Sequence, residues 1–92
     1  RDANLYGAHL GNANLHDANL YDANLRYADL RYADLTGAGM YDAFLNNANL
    51  AGADLTGADL TDADLTGVTW NDTTCPDGTN SDDNGNTCVN NL

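Results

Sequence analysis

The chain is 92 residues long and carries 14 Asp against 3 Arg, with no Lys or Glu, for a formal charge of −11 with His neutral. That length makes one small domain, and that charge repels polyphosphate, which excludes direct nucleic-acid binding through a basic face. Hydrophobic residues at 42% are too many for an acidic disordered tail, and no apolar run approaches the ~20 residues of a membrane span.

From the first residues onward the order is periodic. Leu stands at Leu5 and every fifth position to Leu35, Met40 takes the next place, Leu resumes from Leu45 to Leu65, and Trp70 closes the series. Two residues before each stands Ala, from Ala3 to Ala63, and then Val68, so the unit A-x-L-x-x occurs fourteen times. An α-helix does not fit, because five steps of about 100° rotate successive Leu by roughly 140° and define no stripe. A flat strand fails too: strict two-residue alternation cannot survive an odd period. A strand that bends once per unit does fit. Ala and Leu point to one side, and the next two residues turn a corner, where Asn, Asp and Gly are tolerated. Bends repeated in one direction give a coil, and coils stacked about 4.8 Å apart pair backbone to backbone. No unit buries its own Leu, but a stack does, at roughly 1.5–3 kcal/mol for each.

The stretches ANLHDANLYDANL and ADLTGADLTDADL resemble the A-(D/N)-L-x-x motif of the pentapeptide-repeat proteins, and the likeness covers residues 1–70. It implies an all-β fold, a right-handed quadrilateral β-helix with four units per coil, and so about three and a half coils here. It says almost nothing about activity. The departures from the motif are His9, Gly39 and Phe44 at the Asp/Asn place, Met40 for Leu, and Val68 with Trp70 in the last unit. Some family members resemble duplex DNA in shape and charge and bind type II topoisomerases.

Four units per coil make residues twenty apart stacked neighbours. Asp2, Asp22, Asp42 and Asp62 then form an acidic column, readable as a cation-binding or DNA-mimicking strip, or as a solvated corner, the usual meaning of a charge run. The duplicated RYADL supplies Arg26, Tyr27, Arg31 and Tyr32; the column register places Arg26 over Tyr6 and Tyr21 over Tyr41, with Phe44 outward nearby. Such a mixed aromatic and Arg patch is a candidate partner-binding surface, against the plainer reading of rings stacked along the coil. His9 and His16 are the groups that ordinarily titrate near neutrality, but Asp17 is expected to point around a corner from His16. The only Ser is Ser81, no catalytic motif is present, and a filled core leaves no cleft, so no catalysis is expected. Thr36 and Thr56 stack, but in columns too short for an ice-binding plane.

After Val68 and Trp70, which are expected to plug the core, the code changes. In frame, Thr73 and Cys75 fall at inward places, which carries the coil about one unit beyond residue 70; residues 71–92 otherwise read as a turn-rich cap. Cys75 and Cys88 enclose twelve residues, a comfortable loop for a bridge worth roughly 3 kcal/mol, and a bridge places the chain outside the cell or on its surface. The CPDGTNS tail also resembles those of secreted bacterial members of the family. Asn80, Asp82, Asn84 and Gly85 echo half of a calcium loop, but Asn91 stands where a bidentate Glu is required, so no cofactor is expected beyond a loosely held calcium ion. Asn71-Asp72-Thr73 is a glycosylation sequon. The chain lacks an initial Met and a leader and enters mid-unit at Arg1, so any targeting segment is expected upstream, and an uncapped first coil is expected to meet further coils or a second copy. The sequence as a whole reads as a non-enzymatic extracellular structural or interaction module, self-stacking end to end or binding a partner protein. The alternative is a DNA mimic that binds a type II topoisomerase.

Overall fold

The computed structural model describes residues 2–92; Arg1, with its mid-unit entry, lies outside them. Parallel bridges join each outward residue to the one twenty places on, from Asn4–Asn24 through Asp54–Thr74. One coil is therefore twenty residues, four sides of five. The ladder has a simple rule. From Leu5 to Leu55 the inward N–H donates to a carbonyl in the next coil, as Leu5 does to Asn24 at 2.8 Å, and the outward residue donates back, as Asn24 does to Ala3 at 2.8 Å.

Each corner is a four-residue turn closed by the next Ala, as where Ala8 N–H donates to Leu5 O at 3.0 Å. Of the two corner residues only the second has positive φ, from Asp2 at 54° to Gly67 at 74°, the pattern of a type II turn. This one position creates the demand for Gly, Asn and Asp. A second device is less visible in the sequence. The Asp or Asn between Ala and Leu turns its side-chain oxygen onto the N–H two residues on, as Asn4 does for Tyr6 (3.3 Å) and Asp54 for Thr56 (3.0 Å). The motif's D/N is thus an Asx-type bond that satisfies the corner's free donor.

The four faces can be named by their outward residues. Face 1 carries Asn4, Asn24, Phe44 and Asp64; face 2 His9, Asp29, Asn49 and Thr69; face 3 Asn14, Asp34, Asp54 and Thr74; face 4 Asn19, Gly39 and Asp59. Inside, Leu25, Leu30, Leu35, Met40, Leu45, Leu50 and Leu55 are wholly buried with the intervening Ala. Met replaces Leu at 40 without exposure, as expected of a flexible residue of similar volume. Leu5, Leu10 and Leu15 in the first coil are only half-buried.

The coil runs on past residue 70. Thr74 pairs with Asp54, and Gly57 N–H still donates to Pro76 O at 3.0 Å. The chain then doubles back, so that Asn80 pairs antiparallel with Thr74 and a 3₁₀ turn follows at Ser81–Asp83. Cys75 and Cys88 are disulfide-bonded with Cα atoms 5.3 Å apart, and both are buried beside Thr73 and Ser81. Val68 and Trp70, expected to plug the core, pack against it and stay half-buried. No helix among the described residues is long and apolar enough to cross a membrane.

Candidate interaction surface

The backbone puts the two RYADL units at successive corners, and their tyrosines occupy the positive-φ position: φ is 61° at Tyr27 and 60° at Tyr32. At every other described corner that place holds Gly, Asn or Asp. A bulky residue gains nothing conformationally there. Neither ring escapes to a buried site either, since Tyr27 is 56% and Tyr32 65% exposed. Local backbone physics does not select these tyrosines.

The rings and guanidinium groups are held in place. Tyr32 lies across Gly52, one coil on, where an added Cβ would overlap its ring. Tyr27 meets Tyr6 with centroids 5.4 Å apart at 53°, and Tyr21 stacks on Tyr41 at 5.2 Å and 7°. The Tyr21–Tyr41 pairing follows the column register. Arg26 departs from it: its guanidinium sits 4.3 Å over the Phe44 ring on face 1. Arg26 thus leans back over the preceding face, whereas its column neighbour Tyr6 turns to Tyr27, the second residue of the same corner one coil on. Arg31 leans back likewise and grips Asp29 with two bonds, Nε to Oδ1 at 2.9 Å and Nη2 to Oδ2 at 2.7 Å. That grip holds the Asp29 carboxyl down at about 2 and raises Arg31 further. The expected patch is therefore spread over three corners, those between faces 4 and 1, faces 1 and 2, and faces 2 and 3, with Phe44 on face 1 and Arg31 already neutralised.

The acidic column runs along the corner between faces 4 and 1. Asp2, Asp22, Asp42 and Asp62 all occupy the positive-φ place, so backbone tolerance alone accounts for Asp there. Their proximity still has an electrostatic consequence. Partial desolvation and then the Asp22 and Asp62 carboxylates push the Asp42 carboxyl up, and Asp42 and Asp62 push the Tyr41 phenol up.

His16 corrects another expectation. The corner does not separate it from Asp17: His16 Nε2 lies 3.1 Å from Asp17 Oδ2, and the Asp17 carboxylate folds over Gly37. On its other side Nδ1 meets Thr36 Oγ1 at 2.7 Å, and Thr36 Oγ1 donates to Asp34 Oδ1 at 2.6 Å. The Thr36 proton is committed to a carboxylate, and the whole chain of groups is exposed, so the arrangement offers no activated nucleophile. The same Asp–Thr bond recurs at Thr56 and Thr66 and occupies hydroxyls that an ice-binding plane would need free.

In the tail, Asn80 Oδ1 caps Asp82 N–H at 2.8 Å, and Asn84 Nδ2 donates to Thr79 Oγ1 and Asn80 O at 2.9 Å each. These calcium-loop look-alikes brace the tail itself. No group of His, Cys or Asp with metal-holding geometry occurs among the described residues. Asn71 is exposed, whereas the sequon's Thr73 is buried and donates to Leu50 O at 2.8 Å.

Such a molecule is a parallel β-solenoid with square coils, a solid Leu core and its chemistry on the outer faces. The family model for pentapeptide repeats matches in eight copies over residues 1–40 and 28–69, and the chain belongs to that family. Among solved structures, a pentapeptide-repeat protein of the Arabidopsis thaliana thylakoid lumen is 34% identical with TM-score 0.77, covering 79% of this chain and 50% of its own. One from the cyanobacterium Cyanothece is 38% identical with TM-score 0.62, covering 73% and 52%. A third, from a Nostoc cyanobacterium, is 36% identical with TM-score 0.52, covering 79% and 66%. The chain thus spans about half the length of the first two. The family and these relatives imply the right-handed quadrilateral β-helix. No curated protein matches the chain.

Proposed function

We propose that the chain is a non-enzymatic interaction module: about three and a half coils of rigid scaffold, closed by a bridged cap, that present an aromatic and arginine surface to a partner protein. One observation carries this reading. Tyr27 and Tyr32 stand at a backbone position that favours Gly, Asn or Asp, and both rings remain largely in solvent. Residues that oppose the local rule without gaining burial are the ones to assign to function. The buried Cys75–Cys88 bridge supports an oxidising location, outside the cell or at its surface.

The test is site-directed photo-crosslinking in the native host. A photo-activatable residue at position 32 is expected to trap one discrete partner that the same residue at position 56, on another corner, does not. Equal capture from both positions, or none from either, refutes the reading. A second reading, self-association end to end, is favoured by the half-buried Leu5, Leu10 and Leu15 on the rim of the first coil, a surface that further coils or a second copy would cover. Sedimentation that stays monomeric at high concentration removes it.

A further inference from the structure

Along face 1 the ladder climbs from coil to coil: Leu5, Leu25 and Leu45 donate to Asn24, Phe44 and Asp64, and each of these donates back to the Ala below. It stops at the last coil. Among the described residues, Leu65 N–H and Gly67 N–H meet no acceptor, and Ala63 O meets no donor. On face 3 the returning tail takes over, Ser81 N–H donating to Thr73 O at 2.8 Å and Cys75 N–H to Thr79 O at 2.7 Å. Burial divides the same way. Thr73 and Cys75 are fully buried, whereas Ala63 and Leu65 are half-buried, so face 1 ends in a bare strand edge with its apolar side chains partly uncovered.

That edge borders a groove of about 570 Å³, with residues 62–66 of the coil on one side and Val89 and Leu92 of the tail on the other. The volume falls in the range of ligand sites. Val89 is 51% and Leu92 53% exposed, so the tail side of the groove is an apolar wall open to solvent. The charged groups that line it are Asp62 at the corner and Asp64 on the face, both acidic.

We propose that this groove takes an extended segment of a partner protein as one further strand on face 1, a segment in which basic residues alternate with apolar ones. The ladder dictates the register. One residue of the segment stands over Asp64, donates to Ala63 O and accepts from Leu65 N–H, as Asp64 itself does with Ala43 O and Leu45 N–H below. Its two neighbours point inward, over Ala63 and Leu65 and against Val89 and Leu92, where apolar side chains belong. Charge selects the outward residues. Strands lie about 4.8 Å apart, so an acidic side chain over Asp62 or Asp64 is repelled and a basic one attracted. A second copy suits the groove less well: it brings a charge of −11 to a body of −11, and stacking in register needs the place over Thr74 that Asn80 already fills. Neither Tyr27 nor Tyr32 lines the groove, so this second surface stands independently of the one proposed above.

The probe is a fluorescein-labelled peptide with the core RVRLT, titrated by anisotropy against the whole disulfide-bonded chain at physiological salt. Methylating the backbone nitrogen of its second arginine removes the donor to Ala63 O and keeps every side chain. Regrouping the core as RRVLT keeps composition and charge and breaks the alternation. On the protein, Val89→Ser with Leu92→Ser strips the tail wall. Asp64→Asn removes the central charge and keeps the side-chain oxygen that caps Thr66 N–H. Circular dichroism checks each fold. Each of these four changes is expected to weaken binding by about tenfold, and Asp82→Asn with Asp83→Asn, in the tail, to leave it unchanged. Amide exchange reads the pairing directly: Leu65 N–H is expected to slow on saturation with RVRLT, and Trp70 N–H on face 2 is not. The proposal is overturned if wild type does not bind RVRLT, if the methylated or regrouped peptide binds as tightly, or if the wall variant binds unchanged. It is equally overturned if the Asp82 and Asp83 variant loses as much as Asp64→Asn, or if Leu65 exchange does not slow. Leu65 exchange that slows with rising protein concentration alone places a second copy in the groove and overturns it too.

Discussion

Replacing Gly52 by Ala tests the stacked register and the seating of Tyr32 together. Gly52 has φ of +70°, and the Tyr32 ring lies where a Cβ would go. The left-handed backbone alone costs an L-residue about 1–2 kcal/mol. Displacing a seated ring adds about 1–3 kcal/mol, the usual cost of overpacking. Gly57 provides the control, with φ of +71° but Gly37 N at 3.9 Å as the nearest atom, so Gly57→Ala carries the backbone cost alone. In a chain of this size each kcal/mol lowers the melting midpoint by about 4–8 °C. Urea and thermal unfolding are expected to rank Gly52→Ala well below Gly57→Ala. In a Tyr32→Ala background that difference is expected to vanish, since the ring that creates it has gone. Equal costs at the two glycines, or a difference that survives Tyr32→Ala, would refute the placement of Tyr32 over the next coil.

Leu45→Ala, at a wholly buried site, is expected to cost about 2–5 kcal/mol by urea unfolding, whereas Leu10→Ala in the half-buried first coil costs less than half of that. Cys88→Ala is expected to lower stability by about 3 kcal/mol, and a thiol titration of the native chain should find no free thiol. Stability should fall on acidification. Asp29, Asp34, Asp59, Asp64 and Asp77 are all held below the ordinary carboxylate value by hydrogen bonds, so their contribution is present above about pH 4 and is lost as pH falls towards 2. Asp42 opposes them, its raised carboxyl gaining from protonation, but it stands alone against five. A urea midpoint that rises between pH 5 and pH 3 would contradict this. Arg31→Gln should return the Asp29 carboxyl upward, as read by carboxyl carbon NMR.

The resemblance to a known family made the fold legible early, but the residues support it independently. A period of five with Ala and Leu two apart excludes both regular alternatives and leaves a cornering strand, and the burial of Leu25 through Leu55 follows from that spacing alone. The candidate surface was legible only in part. Columns twenty apart correctly bring Tyr21 to Tyr41, yet they place Arg26 on Tyr6 and leave His16 away from Asp17. Those pairings depend on which way a corner side chain leans, a matter of rotamer and of what lies on the preceding face, and a one-dimensional register contains neither. The Asx bond could have been found by noting that every D/N precedes a donor two residues on.

By itself the sequence determined the coil: side chains at an odd period can share one dry interior only if the backbone turns after each unit, whatever occupies the outer positions. The tertiary structure alone decided which outer positions matter. Only the positive φ at the second corner residue shows that Tyr27 and Tyr32 stand where their own backbone disfavours them, and that the acidic column needs no special explanation for its Asp. The physical reason is that periodicity sets which way a residue faces, whereas dihedral angles and neighbours from other coils set what it meets there.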